Sequence, residues 1–225
     1  MSRTAVIAAL PDELRPLVRG WRRERRAGVD TWRRREGSGE WVAACAGMGA
    51  RAAARALAEA ERLGAADAVV SAGWAGALRD EFEVGRAYRV SAVVDARTGE
   101  RFAAASPGGC VLVTSGRVAG PEEKRRLAAA FGAGIVDMEA AAVARIAAGR
   151  GIPFHCVKAI SDAPGDLIAG IDGFVSPDGR FRLGRFVLHA AARPWLWPAL
   201  GRLAGNSRRS AEALGDALAG LLAGL

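Results

Sequence analysis

The chain has 225 residues, 51% of them hydrophobic and 25% charged, which excludes a disordered or fibrous polypeptide and suffices for one α/β domain with a substantial core. A net charge of +8 and a pI near 10.7 raise nucleic acid or an anionic membrane as partners; yet the charge is almost all arginine, Lys124 and Lys158 being the only lysines, a bias that genome composition also produces. Three cysteines in apolar runs argue against a disulfide framework, and the apolar stretch before Pro11 is too short for a signal peptide or membrane span, so a cytoplasmic protein is expected, with membrane association as a variant.

TAVIAAL, from Thr4 to Leu10, is a short continuous apolar run ended by Pro11, the pattern of a strand buried on both faces. A helix can start at Pro11. The Arg/Trp-rich stretch from Trp21 to Glu36 reads as a hairpin or loop at a sheet edge. EWVAACAGMG is a strand running into a glycine turn, and Ala50 to Leu63 has the pattern of a surface helix. DAVVSAGWAGAL repeats the strand-then-glycine design. RAYRVSAVVDA and GCVLVTSG are further strands, and PEEKRRLAAAF is a helix whose Pro121 and two glutamates suit its N-terminus. GIVD is a short strand before the helix MEAAAVARIAAGR, and IPFHCVKAISD is a strand ending in Ser161 and Asp162.

Beyond Asp162 glycine and aspartate are frequent up to Gly179. An apolar-basic tail follows, read as amphipathic helices over about 184–225, broken at Pro194 and Pro198, with a last helix from Ser210. Strands alternating with helices at spacings too long for hairpins predict a single three-layer α/β domain over 1–225, core about 3–190, with a mainly parallel mixed sheet. Ligands in such sheets gather beyond the carboxyl ends of the strands. Glu13, Gly47 to Gly49, Gly73 to Gly76, Met138 with Glu139, and Ser161 with Asp162 all fall there. No cluster of Cys, His and carboxylates has metal-ligand spacing, and neither a Walker loop nor a dinucleotide fingerprint is present. No metal or organic cofactor is therefore expected.

Five segments in order resemble the superfamily that includes methylthioadenosine/S-adenosylhomocysteine nucleosidase and the purine and uridine phosphorylases. They are AVIAALPDEL, AGMGARAAARA, SAGWAGAL, VDMEAAAVARIA and VKAISD. The resemblance implies cleavage of the N-glycosidic bond of an adenine nucleoside. The tail RLGRFVLHAAARPWLWPALGRLAGNSRRSAEAL is similar to that of the hopanoid-biosynthesis-associated branch, which implies adenosylhopane as substrate. The superfamily resemblance also implies a homodimer or larger assembly.

Breaking the bond to adenine requires a proton for the base and stabilisation of an oxocarbenium-like ribosyl centre. By resemblance, Asp162 is the acid, oriented by Ser161; its carboxyl group then needs a pKa raised by partial burial or nearby negative charge. By spacing alone, Asp162 equally suits the turn before Pro164. Glu13 matches the glutamate that activates water, and without the resemblance it is a first-turn helix residue. Glu139 matches the acceptor for the ribose hydroxyls, with Met138 against the sugar; Asp137 is read as a helix cap or a structural acceptor. Gly47 and Gly49, and Gly73, Trp74, Ala75 and Gly76, bring backbone amides to the ligand. Leu10 and Met48 suit an apolar 5′-substituent.

Two departures from the nucleosidase pattern are Trp74 in place of a small hydroxyl residue and Val118 in place of the phenylalanine that stacks on adenine. Stacking is then either weaker or supplied from elsewhere, by Phe174 or Trp74. Hexameric phosphorylases carry an arginine where this chain has Val69-Val70-Ser71, which favours water as nucleophile, with inorganic phosphate as the alternative co-substrate. A third reading is a catalytically inactive basic protein binding an anionic membrane or nucleic acid; a combined version has an active enzyme in peripheral contact with the membrane, and specific nucleic-acid recognition is not expected.

Overall fold

The computed structural model describes residues 2–37, 39–106, 108–166 and 197–225. Its centre is an 11-stranded mixed sheet in the order β2-β3-β4-β1-β5-β11-β6-β10-β9-β7-β8, with an additional β11–β7 pairing. The strands are β1 Ser2–Ala8, β2 Arg22–Arg26, β3 Val29–Glu36, β4 Gly39–Cys45, β5 Ala68–Ser71, β6 Trp74–Ala77, β7 Ala87–Asp95, β8 Arg101–Ala103, β9 Cys110–Thr114, β10 Ile135–Asp137 and β11 Phe154–Asp162. The helices are α1 Pro11–Leu14, α2 Ala50–Ala60, α3 Pro121–Phe131, α4 Ala140–Arg150 and α5 Trp197–Leu222.

The apolar runs become the buried strands. Val6, Val69, Val70 and Ile160 have no exposed surface, as expected of strands covered on both faces. One face of the sheet packs on the alanine stripes of α2 and α4. The other packs on Leu14 of α1 and on Leu214, Leu218 and Leu222 of α5. Around Leu78, Val113 and Val136 a third cluster is closed by Leu127 of α3. Cys45, Cys110 and Cys156 are unpaired thiols.

β11 organises the sheet. Its first part pairs parallel with β5, its middle antiparallel with β7 and its end parallel with β6. It therefore carries Ser161 and Asp162 past the start of β6, with Asp162 opposite Gly76. The Trp21–Glu36 segment is an antiparallel hairpin, β2–β3, at the sheet edge.

Two elements differ from expectation. Trp74 to Ala77, expected to continue the glycine loop, form strand β6: Gly73 turns the chain at φ +125°, and Trp74 and Ala75 then pair with Ala159 and Ile160. The last helix starts at Trp197 rather than Ser210, and Pro198 does not break it. A proline in the first turn removes no hydrogen bond that the helix would otherwise make. Phe174, His189 and Pro194 lie outside the described residues.

Candidate active site

Glu13 is the third residue of α1 and is buried, at 4% exposure. Its Oε2 accepts the amides of Ala9 and Leu10, at 2.8 and 2.7 Å, and its Oε1 accepts the amide of Trp74 at 2.8 Å. The bond from Leu10 is the return half of a capping box, so the helix-terminus reading of Glu13 holds in part. The reach to Trp74, 61 residues away, goes beyond capping. The close approach requires glycine at position 73, where a methyl group would stand 2.9 Å from Oε1. Burial raises the Glu13 pKa, against the opposing pull of these three amides and of Lys158.

Asp162 ends β11, also at 4% exposure. Ser161 Oγ donates to its Oδ1 at 2.6 Å. Its Oδ2 receives Lys124 Nζ of α3 at 2.5 Å, and the same ammonium donates to Ala163 O. The environment expected for Asp162 included partial burial or nearby negative charge. Burial is present; the adjoining charge is positive. Lys124 is itself 1% exposed. Gly76 makes room for the pair: a methyl there would lie 2.7 Å from Asp162 Oδ2 and 3.2 Å from Lys124 Cε.

Strand β6 thus links the two acids, Glu13 bound to the amide of Trp74 and Asp162 packed on Gly76. Two residues along a strand span roughly 7 Å. Glu139, the N-cap of α4, completes the set at 8% exposure. Its Oε1 accepts the Gly49 amide at 2.6 Å and its Oε2 that of Met138 at 3.2 Å. Burial, then the charge of Asp137, pushes its pKa up to about 7, with Glu13 adding in the same direction and Lys158 opposing.

Asp137 is a structural acceptor that also binds the first amide of α4, although the N-cap position itself is held by Glu139. Its Oδ2 accepts the Ala140 amide of α4 at 2.9 Å, its Oδ1 the Thr114 hydroxyl at 2.7 Å. It also binds Lys158 Nζ at 2.8 Å. Lys158, 0% exposed, donates to Ala72 O as well. Burial disfavours its ammonium, but Asp137, Cys156 and Glu139 outweigh that and raise its pKa.

A cavity of about 380 Å³ reaches this centre at Gly49 and Met138, the residues whose amides bind Glu139; Met48, Ser115, Arg51, Arg97 and Arg145 also line it, whereas Glu13, Glu139 and Asp162 do not. The surroundings of Met48 are therefore partly cationic rather than uniformly apolar. Gly47 and Gly49 turn the β4–α2 connection through positive φ, and Leu10 and Val118 are half-buried in the β1–α1 and β9–α3 connections. Ala75 and Gly76 are buried within β6. Trp74 packs against the core formed by Val6, Leu14, Val70 and Leu214, and its indole Nε1 is buried without a hydrogen-bond partner.

Sequence reasoning missed Lys124 and Lys158. Their signal was rarity: among 32 Lys and Arg residues they are the two lysines, and both are fully buried on carboxylates of the site. Lysine offers a compact point charge at the end of a flexible stem, where the planar guanidinium of arginine is bulkier and holds its proton.

The fold has close counterparts among solved structures. A mutant of the Helicobacter pylori 5′-methylthioadenosine/S-adenosylhomocysteine nucleosidase, with 5′-methylthioadenosine in its active site, matches with a TM-score of 0.77 at 14% identity, over 100% of both chains. The futalosine hydrolase of H. pylori matches with a TM-score of 0.74 at 14% identity, over 100% of this chain and 98% of that one. A putative nucleosidase of the first kind from Francisella philomiragia matches with a TM-score of 0.73 at 18% identity, over 100% of both. No curated protein matches the chain. The sequence model described as Phosphorylase superfamily matches residues 3–108 and 90–176, spanning β1, the glycine turns, all three acids and both lysines, and the chain belongs to that superfamily.

Proposed function

We propose that the protein hydrolyses the N-glycosidic bond of an adenine nucleoside. The observation that carries this reading is the pair of buried acids on either end of one short stretch of β6, Glu13 at Trp74 and Asp162 at Gly76. A purine ribosyl group held between them would meet a proton acceptor on one side and a proton source on the other.

The free lone pairs support a role for each acid. Glu13 Oε2 is filled by two amides, whereas Oε1 takes one amide and keeps a lone pair. Oε1 is then the atom that takes the proton of the attacking water. Glu139, ionised, accepts from the 2′- and 3′-hydroxyls and faces the positive charge developing at C1′. Asp162, held by Ser161, hands a proton to the purine as the C1′–N9 electron pair leaves with the base.

We assign water as the nucleophile on the surroundings of Glu13, while Arg51, Arg97 and Arg145 in the adjoining cavity are the groups that favour phosphate. The cation acting on Glu13 is Lys158, whose ammonium is engaged by Asp137 and Ala72, and Val69 and Val70 are wholly buried in β5. The named ligand and chemistry of the fold relatives accord with a nucleoside substrate. The finer reading, an apolar 5′-substituent extending to adenosylhopane, rests on Leu10, Met48 and the tail resemblance.

Chromatography of free adenine from a panel of 5′-substituted adenosines, with and without phosphate, tests the proposal. Adenine release without phosphate is expected. An absolute phosphate requirement would replace hydrolysis by phosphorolysis, and no release from any member would overturn the reading.

A further inference from the structure

We infer that Lys124 is the positioning residue that stores, as its ammonium, the proton that departs with the purine. The inference rests on the nucleosidase reading and deepens it.

The placement of Lys124 is unfavourable by ordinary criteria. It is the fourth residue of α3, after Pro121, Glu122 and Glu123, in the turn where the helix dipole favours negative charge. It is 1% exposed. A buried ion pair contributes little over an apolar pair of the same volume. The position in the helix therefore does not account for the residue; its partner, the buried carboxylate of Asp162, does.

Asp162 has both oxygens engaged, Oδ1 by the Ser161 hydroxyl and Oδ2 by Lys124, and its orientation is set. A carboxylate has no proton to give. One adjoins it on Lys124 Nζ, which is hydrogen-bonded directly to Oδ2. The ammonium also donates to Ala163 O, so the lysine stays in place once that proton has gone.

Lys124 passes a proton to Asp162 Oδ2, and Asp162 passes one to a ring nitrogen of the purine. The C1′–N9 bond breaks with its electron pair going to the base, which leaves neutral. Water adds its oxygen to C1′ and gives its proton to Glu13. Lys124 ends as a neutral amine and Glu13 as a carboxylic acid, and proton exchange with solvent restores both. Position 76 is glycine because any larger residue would enter the space the pair occupies.

The test compares Lys124→Met with the wild-type protein on ribosides of adenine, unsubstituted purine and 6-chloropurine, whose anions are progressively more stable and need the proton progressively less. On the adenine riboside a loss of about 10²–10⁴-fold in turnover is expected, the range of general-acid contributions. That loss should shrink along the series to about tenfold or less with 6-chloropurine. A uniform loss across the series, or none with adenine, would overturn the inference. Should Met abolish cooperative thermal unfolding, Lys124→Gln, which keeps a donor for Asp162 and Ala163 but has no transferable proton, gives the same readout. Failure of the wild-type chain to release base from any riboside would instead strike the nucleosidase reading and remove the inference with it.

Discussion

Three backbone amides hold the Glu13 carboxylate, and a glutamine in its place could not satisfy them all. The Gln side chain has one acceptor oxygen, so either the Trp74 amide or those of Ala9 and Leu10 would face an NH₂ group. Glu13→Gln is expected to cost about 1–3 kcal/mol of stability, the penalty of an unsatisfied buried donor, and to lower turnover by at least about 100-fold because water loses its base. Urea unfolding and adenine release measure the two effects separately. Lys158 presents the reverse case, since removing it strands a buried charge. Lys158→Met leaves Asp137 beside Glu139 without its cation, and a loss of about 3–5 kcal/mol in unfolding free energy is expected. A loss below about 1 kcal/mol would mean that the pair behaves like an exposed one.

At the scale of elements, β6 positions the site through its small residues. Gly76→Ala puts a methyl group against Asp162 Oδ2 and Lys124 Cε. Two buried side chains must move, at a cost of about 1–3 kcal/mol, and activity should fall with them. Gly149→Ala in α4 is the control: nothing lies within 4 Å of the added methyl, and it should be neutral or stabilise by up to about 1 kcal/mol. Thermal unfolding of the two variants distinguishes contact from propensity. The same strand marks where sequence reading stops. β9, β10, β11 and α3 were legible because apolar runs, a helix-initiating proline and first-turn glutamates all point the same way. Trp-Ala-Gly-Ala carries no such pattern; it is a strand because β11 and β10 lie on either side. β8 owes its three residues to pairing with β7. The carboxylates were singled out by the family resemblance, to which the strand-end rule added only a shared location; by spacing alone Glu13 is a first-turn helix residue and Asp162 a turn residue. Lys124 was not singled out, since its partner lies 38 residues away on another element and no spacing rule connects them.

For the molecule as a whole, charge acts in two separate places. On the edge strand β2 every residue is exposed, and three of its four arginines pair locally, Arg23 and Arg25 with Asp30 and Arg26 with Glu59. Charged side chains on an edge oppose pairing with another sheet, so this basic run has a structural account that requires no anionic partner. In the interior, Glu13, Asp137 and Glu139 share the field of Lys158, and the arrangement makes stability depend on pH. Glu139 moves from an ordinary 4.5 to about 7 on folding. A raised carboxyl pKa means that the folded state binds the proton more tightly, so this contribution is complete below about pH 4.5 and is lost as pH rises through about 7. The loss is of order 3 kcal/mol. Glu13, shifted in the same direction, adds to it, whereas His155, lowered by burial and then by Arg89, works oppositely in acid. Comparison with Glu139→Gln removes the part of this dependence that needs no ionisable group at position 139, such as that of His155. The unfolding free energy of the wild type relative to the variant should fall by about 3 kcal/mol between about pH 5 and pH 8, measured by urea denaturation at each pH. A difference that stays constant across that interval would mean that Glu139 is already ionised in the folded protein at pH 5, and that the crowding of acids around Lys158 has been screened by its ammonium.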